Sequence, residues 1–305
     1  MLRDWIKYYY RRLYQKFHYE TFKANILKGQ QLADVNGNKQ NIQQLDEVAF
    51  QVFSQRGEDG IIQYIISKTA IPNKIFIELG VEDYTESNTR LLLFYNWRGL
   101  VIDSSKLNIR FIKKDFIYWK YDITAYQSFI TKENITTLVN SYTPCSDIGL
   151  LSIDIDGNDY WVWEALTTVQ PRIVVCEYNS AFGNEYAVSI PYAAGFIKTK
   201  AHYSNLYYGA SLPALCRLAE KKGYDFIGTG SAGVNAFFIR KDLSAPFIKY
   251  TAKDGFHESA NRDAKDKKGR NTFLEHGQRL AVIKDMPVVD VTSGDVHLIK
   301  DLYHL

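Results

Sequence analysis

Cysteine is scarce in this chain of 305 residues: Cys145, Cys176 and Cys216 are the only three. They show no paired or metal-ligand spacing, so neither a disulfide framework nor a thiolate metal site organises the fold. A reduced, cytoplasmic setting is the expectation. Excess charge is scarce too. Thirty-seven Lys and Arg against thirty-four Asp and Glu leave a formal net charge of +3, which is too small to argue for a nucleic acid partner. No apolar run approaches the ~18 residues of a membrane span, and no secretory leader is present, so neither a transmembrane segment nor export is expected. Two nucleotide signatures are missing as well. There is no GK[ST], which removes the P-loop, and no GxGxxG, because Glu82 and Tyr84 stand where small residues would cradle a pyrophosphate.

What remains is an ordinary globular balance, 46% hydrophobic and 23% charged, with an aromatic surplus of 22 Tyr, 17 Phe and 5 Trp. Such a chain has ample material for a core. Its centre of organisation is Leu150 to Trp163, LLSIDIDGNDYWVW, together with Ile173 to Asn179, IVVCEYN. Short apolar runs bounded by polar and glycine signals read as buried strands of a parallel sheet. Ligands of such sheets sit beyond the carboxyl ends of the strands. Two strands ending in Asp154, Asp156, Glu177 and Asn179 would therefore gather oxygen ligands around one crevice. A hard divalent cation needs such a set, and a bound amine or hydroxyl would use it equally.

Residues 1 to about 26 read as a basic amphipathic helix, with Leu2, Ile6, Tyr9, Leu13 and Phe17 at three- and four-residue steps. It suits packing on the domain or on a second copy of the chain, or lying on the inner membrane surface. Gly29 to Asp46 reads as a linker. The N-terminal unit is thus 1–48, followed by a central domain over 49–250 and a charged extension over 251–305. In FSQRGEDGIIQYII, Ser54 is a candidate N-cap with Gly57, Glu58 and Asp59 in the first turn. Two readings stand side by side: the acids serve only the helix dipole, or Ser54, Gln55 and Gly57 edge a ligand pocket. The run KIFIELG predicts a strand over Ile75 to Leu79 and a turn at Gly80 that lets the backbone approach a ligand. A second strand ends at Asp103, placed to accept from ribose hydroxyls. A third is predicted around Trp119 to Tyr121, ending at Asp122, with a helix over 125–140. The irregular stretch 180–208 is long enough to be a substrate cover. The strands Tyr224 to Gly228 and Asn235 to Arg240 are joined so closely that they must be antiparallel.

Acids at successive strand ends, finished by an antiparallel pair, resemble the Rossmann-like S-adenosylmethionine-dependent methyltransferases. In order, FSQRGEDGI, FIELG, SNT, LLSIDIDGNDYWVW, EYN, YYGASL and GVNAFF look like a bacterial methyltransferase family found among genes for capsule and other surface polysaccharides. The resemblance runs from about Phe53 to Leu243. It departs from the wider class in GVEDYTES, which keeps only Gly80 of the glycine-rich loop. It implies an α/β sheet, mostly parallel with an antiparallel last strand and helices on both faces. Ser54, Gln55, Gly57, Glu78, Gly80, Asn88, Asp103, Asp122 and Asp154 would attend S-adenosylmethionine. A comparison with metal-dependent O-methyltransferases assigns Asp154 (or Asp156), Glu177 and Asn179 to Mg²⁺ or Mn²⁺. His202, in the cover, is the expected general base, with Asp156 and Asp159 as rivals. The implied acceptor is a sugar or nucleotide sugar, and the implied location is cytoplasmic, peripheral to the inner membrane if the basic helix binds there. A metal-independent or N-directed methyltransferase and a non-catalytic scaffold are the alternatives.

Overall fold

A computed structural model describes the backbone of residues 2–259 and 264–305, with side chains from residue 20 onward except His276. The strands are β1 (Ile75–Leu79), β2 (Arg98–Asp103), β3 (Ile123–Gln127), β4 (Leu150–Ile153), β5 (Ile173–Glu177), β6 (Val188–Ser189), β7 (Tyr224–Thr229), β8 (Asn235–Arg240), β9 (Pro287–Asp290) and β10 (Val296–Leu298). Seven of them form one sheet in the order β3-β2-β1-β4-β5-β8-β7. Its first five strands are parallel, and β8 runs antiparallel to both β5 and β7. Strands β4 and β5 are buried at every position, as expected where both faces of a sheet are covered.

One face is packed by α2 (Glu58–Lys68), α3 (Lys106–Ile112) and α4 (Phe116–Lys120), through Ile61, Ile65, Ile109, Ile112 and Ile117. The other is packed by α5 (Ile135–Tyr142), α6 (Asp159–Ala165) and α8 (Leu212–Lys221), where Trp163 sits between Tyr224 and Phe238. Trp163 is thus core. Each large apolar side chain buried in this way contributes about 1.5–3 kcal/mol.

Three local expectations are corrected. Helix α1 spans Leu2–Gly37, so the residues read as the start of a linker are helical. Phe22, Ile26, Gly29, Ala33 and Asn36 turn inward at helical spacing. Small residues at the seam allow close approach, and Asn36 donates to the Val48 carbonyl at 2.7 Å while Lys68 caps the Gly37 carbonyl at 2.9 Å. Tertiary packing there overrides weak periodicity. The apolar stripe proposed for residues 2–17 lies outside the described side chains. Second, Trp119 is helical, because Asp115 caps α4 by accepting from the Ile117 N–H at 3.2 Å. The third parallel strand consequently begins after Asp122, and the helix predicted over 125–140 is confined to Ile135–Tyr142. Third, α2 starts at Glu58 with Gly57, at φ 101°, as its N-cap.

The stretch 180–208 contains β6 and the short helix α7 (Lys198–Ala201). It is covered by the C-terminal extension. The strand order β10-β9-β6 joins the two segments in a small second sheet, with α9 (His276–Val282) and α10 (Ile299–Leu302) alongside. Phe182, Val188, Leu206, Ile283 and Val288 form its own core. Among the described residues, no helix is long and apolar enough to cross a membrane.

Candidate active site

A cleft of about 390 Å³ opens at the carboxyl ends of β1, β2, β4 and β5, within the ordinary range for small-molecule sites. Its first half is built by the turn after β1. Gly80, at φ 79°, packs so tightly on the end of β4 that a Cβ would lie 1.6 Å from the Asp154 carbonyl oxygen. The loop beyond it manages without further glycines because Glu82 and Tyr84 themselves take positive φ, 47° and 64°. Tyr84 is fully buried, bonded through its hydroxyl to Thr89 Oγ1 at 2.9 Å, and Thr89 bonds Glu78 Oε2 at 2.5 Å. Glu78 Oε1 also accepts from the Asn88 N–H at 2.9 Å. Burial pushes Glu78 up to about 7. Asp103 accepts from Glu82 N–H through Oδ2 and from Ser105 N–H and Asn108 Nδ2 through Oδ1. Its Oδ2 retains a lone pair on the cleft side, suited to a hydroxyl.

The second half is carboxylate-rich. Asp154, Asp159 and Glu177 place one oxygen each within 4.8 Å of one another. Asp159 closes the loop after β4 by accepting from Ile155 N–H at 2.8 Å and Gly157 N–H at 2.9 Å. Glu177 Oε2 is buried without a hydrogen-bond partner. Burial, with repulsion from Asp156 and Asp159, pushes Asp154 up to about 8. Burial and the adjacent Asp154 hold Glu177 well above the usual range. Two such groups in hydrogen-bonding reach need a shared proton or a bound cation between them. Three carboxylate oxygens at this separation also suit the donor set of Mg²⁺ or Mn²⁺.

The cover brings Phe196 and Lys198 to the rim. Phe196 lies on Gly157, where an added Cβ would come within 2.3 Å of the ring. Lys198 Nζ binds Asp156 at 2.7 Å and sits 3.8 Å from the Tyr208 ring centre. From β8, Asn235 faces Glu177 across the ladder and donates to Glu58 Oε1 at 3.0 Å.

Of the residues singled out from sequence, Gln55, Glu78, Gly80, Asn88, Asp103, Asp154, Asp156 and Glu177 line this cleft. Five do not. Asp122 precedes β3, and its carbonyl accepts from Gly99 N–H at the opposite end of the sheet from the cleft. Ser128 and Phe129, which follow β3, line the cleft instead. Ser54 is buried beneath the loop, with Asp59 Oδ2 accepting from Val52, Phe53 and Ser54 N–H. Gly57 serves as the α2 cap. Asn179 spends its side chain on the cover: Nδ2 donates to the Leu206 and Tyr208 carbonyls, and Oδ1 accepts from Ala181 N–H. Asp159 takes its place beside the two strand-end acids. His202 bonds Ser204 Oγ at 2.7 Å and stacks on Tyr203 away from the cleft lining; burial and Lys267 lower its pKa. Lys198, Phe196 and Asn235 were not singled out. Only Asn235, opening the strand of GVNAFF, had a positional signal.

No family model and no curated protein matches the sequence. Solved structures of methyltransferases are similar at low identity. The methyltransferase domain of bacterial CtHen1 is 15% identical with a TM-score of 0.39, covering 60% of this chain and 96% of that one. Precorrin-6y C5,15-methyltransferase from Geobacter metallireducens is 9% identical with a TM-score of 0.36, covering 63% and 94%. The N-terminal domain of EvdMO1, solved in the presence of SAH and D-fucose, is 12% identical with a TM-score of 0.36, covering 54% and 74%. Likeness this distant carries no argument about activity, which rests on the site.

Proposed function

We propose that the chain is an S-adenosylmethionine-dependent O-methyltransferase acting on a sugar hydroxyl. The observation that carries the reading is the meeting, in one cleft, of a glycine turn and ribose-type acid (Gly80, Asp103) with a close acid pair, Asp154 and the buried, under-bonded Glu177. The strand order supports it, since an open parallel sheet binds its ligands outside the carboxyl ends of its strands. The resemblance of the motifs points the same way.

In this reading Asp103 accepts from the ribose hydroxyls, and Gly80 with Asn88 borders the methionine end of the cofactor. Ser128 and Phe129 flank its base. Asp154, Asp159 and Glu177 would hold a divalent cation, which when bound lowers the pKa of a coordinated hydroxyl. Glu177 Oε2, buried and without a partner, would accept the acceptor's hydroxyl proton once a bound cation has displaced its own. Lys198 holds Asp156 and with it the cover. Phe196 offers an apolar face to the sugar's C–H surface.

Calorimetric titration of S-adenosylhomocysteine into metal-free protein, and again with Mn²⁺, tests the reading in wild type and Glu177→Gln. Cofactor-product binding in both, with an Mn²⁺ signal lost only in the variant, is expected. Absence of cofactor-product binding in wild type refutes it.

A further inference from the structure

The charge on the cleft wall narrows the acceptor, and this step rests on the methyltransferase reading above. Eight of the lining residues carry carboxyl groups, while a single one, Lys198, carries a positive charge. No arginine or histidine lines the cleft among the described residues. In the half facing Glu177 the acids are Glu58, Asp154, Asp156 and Glu177 itself, and Lys198 is already committed to Asp156 at 2.7 Å. Nucleoside diphosphates are held by Arg or Lys forks and by open helix N-termini. Of the three α-helices that begin at this cleft, α2 has Glu58 and Asp59 in its first turn and α6 has Asp159, while α3 is capped by Ser105 Oγ, which accepts from Asn108 N–H, with the Asp103 carboxylate accepting from Ser105 N–H just before it. Their dipole ends are therefore already neutralised. One divalent cation at Asp154, Asp159 and Glu177 would leave carboxylates in excess.

What the wall does offer is hydroxyl chemistry. Carboxylate oxygens accept from vicinal hydroxyls, Gln55 and Asn235 supply amides, and Asn235 Oδ1 is buried without a partner. Phe196 supplies a ring at the rim. We infer that the acceptor is an unphosphorylated glycan or glycoside, methylated after the sugar has left its nucleotide carrier. The reaction supplying it is consequently a glycosyl transfer that releases the nucleoside diphosphate, rather than the synthesis of an activated sugar.

The test uses the full chain loaded with S-adenosylhomocysteine and titrated with uridine diphosphate, with and without Mg²⁺. The Asp156→Asn variant is measured alongside. Asp156 sits at φ 56°, a conformation Asn adopts readily, so the variant keeps the loop while removing one charge and one partner of Lys198. Wild type is expected to show no uridine diphosphate binding up to millimolar concentration, and Asp156→Asn to bind it at least roughly tenfold more tightly. Labelled methyl transfer is expected with methyl glycosides and short oligosaccharides, at a kcat/KM at least tenfold above that for the same sugars on a nucleoside diphosphate. Micromolar binding of uridine diphosphate to wild type, in either metal condition, or transfer confined to nucleotide sugars, overturns the inference. Failure of S-adenosylhomocysteine to bind would defeat the methyltransferase reading separately; the same titration on the unloaded chain still decides whether the cleft rejects a diphosphate.

Discussion

Replacing Gly80 by alanine tests the junction between the two halves of the cleft. Its Cβ would fall 1.6 Å from the Asp154 carbonyl oxygen and 2.7 Å from the Asp154 carbonyl carbon, both backbone atoms that no rotamer change can move. The φ of 79° adds about 1–2 kcal/mol for any residue with a Cβ. Relief requires the ends of β1 and β4 to part. That weakens the bonds from Asp154 N–H to the Leu79 carbonyl at 3.0 Å and from Gly80 N–H to the Ile102 carbonyl at 2.9 Å, each worth about 1 kcal/mol. The expected loss is roughly 3–5 kcal/mol. With an unfolding entropy of roughly 0.6 kcal/mol/K for a chain of this size, the midpoint should fall by about 5–8 °C. Because the same shift displaces Asp154 and opens the turn, S-adenosylhomocysteine binding should weaken at least roughly tenfold as well. Gly195→Ala is the control. Nothing lies within 4 Å of its added Cβ, and its stability should stay within about 0.5 kcal/mol of wild type. Differential scanning calorimetry and cofactor-product titration read both quantities. A Gly80→Ala protein that melts within about 2 °C of wild type and binds S-adenosylhomocysteine normally would refute the argument.

Four further outcomes follow from the geometry. Asp154 and Glu177 have folded pKa values raised above 3.8 and 4.5, so between about pH 4 and pH 8 the folded chain holds protons that the unfolded chain has released. Stability should then fall as pH rises through that window, less so in Glu177→Gln, and Mn²⁺ should offset the loss by replacing the protons; melting curves from about pH 5 to 8.5 check the sign. Asp59→Ala orphans three loop N–H groups and should lose about 3 kcal/mol by thermal or urea unfolding. Asp103→Asn should weaken S-adenosylhomocysteine binding roughly tenfold or more by removing a charged acceptor, whereas Asp122→Asn should leave it unchanged, as titration of the pair would show. His202→Ala should retain kcat within about threefold, since no transition-state interaction is removed; a loss beyond a hundredfold would restore the histidine as the base.

The sequence by itself determined much of this protein. The apolar runs ending at Leu79, Asp103, Ile153 and Glu177 had to be buried strands, because continuous β-branched and aliphatic stretches of that length leave no polar face. The short Gly-rich link between Tyr224–Thr229 and Asn235–Arg240 could make only an antiparallel pair. Gly80, Asp103, Asp154 and Glu177 were legible as residues of one cleft because strand-end position follows directly from those runs. Tertiary structure decided the rest. Asp122 missed the cleft because the Asp115 cap turned Trp119 into helix and moved the third strand beyond it, a competition between local signals that periodicity does not rank. Asn179 was spent on the cover and Asp159 joined the strand-end acids because a side chain's free lone pairs depend on which backbone groups the cover and the loop after β4 bring within reach. The charged stretch from Asp254 to Arg270 reads as solvated or as a lid, and the run Met286 to Val291 was legible as a strand, but only the fold pairs that strand with β6 and gives it a core. Phe196 packs against the core of that second sheet, and long-range contact of this kind leaves no periodic trace in the sequence.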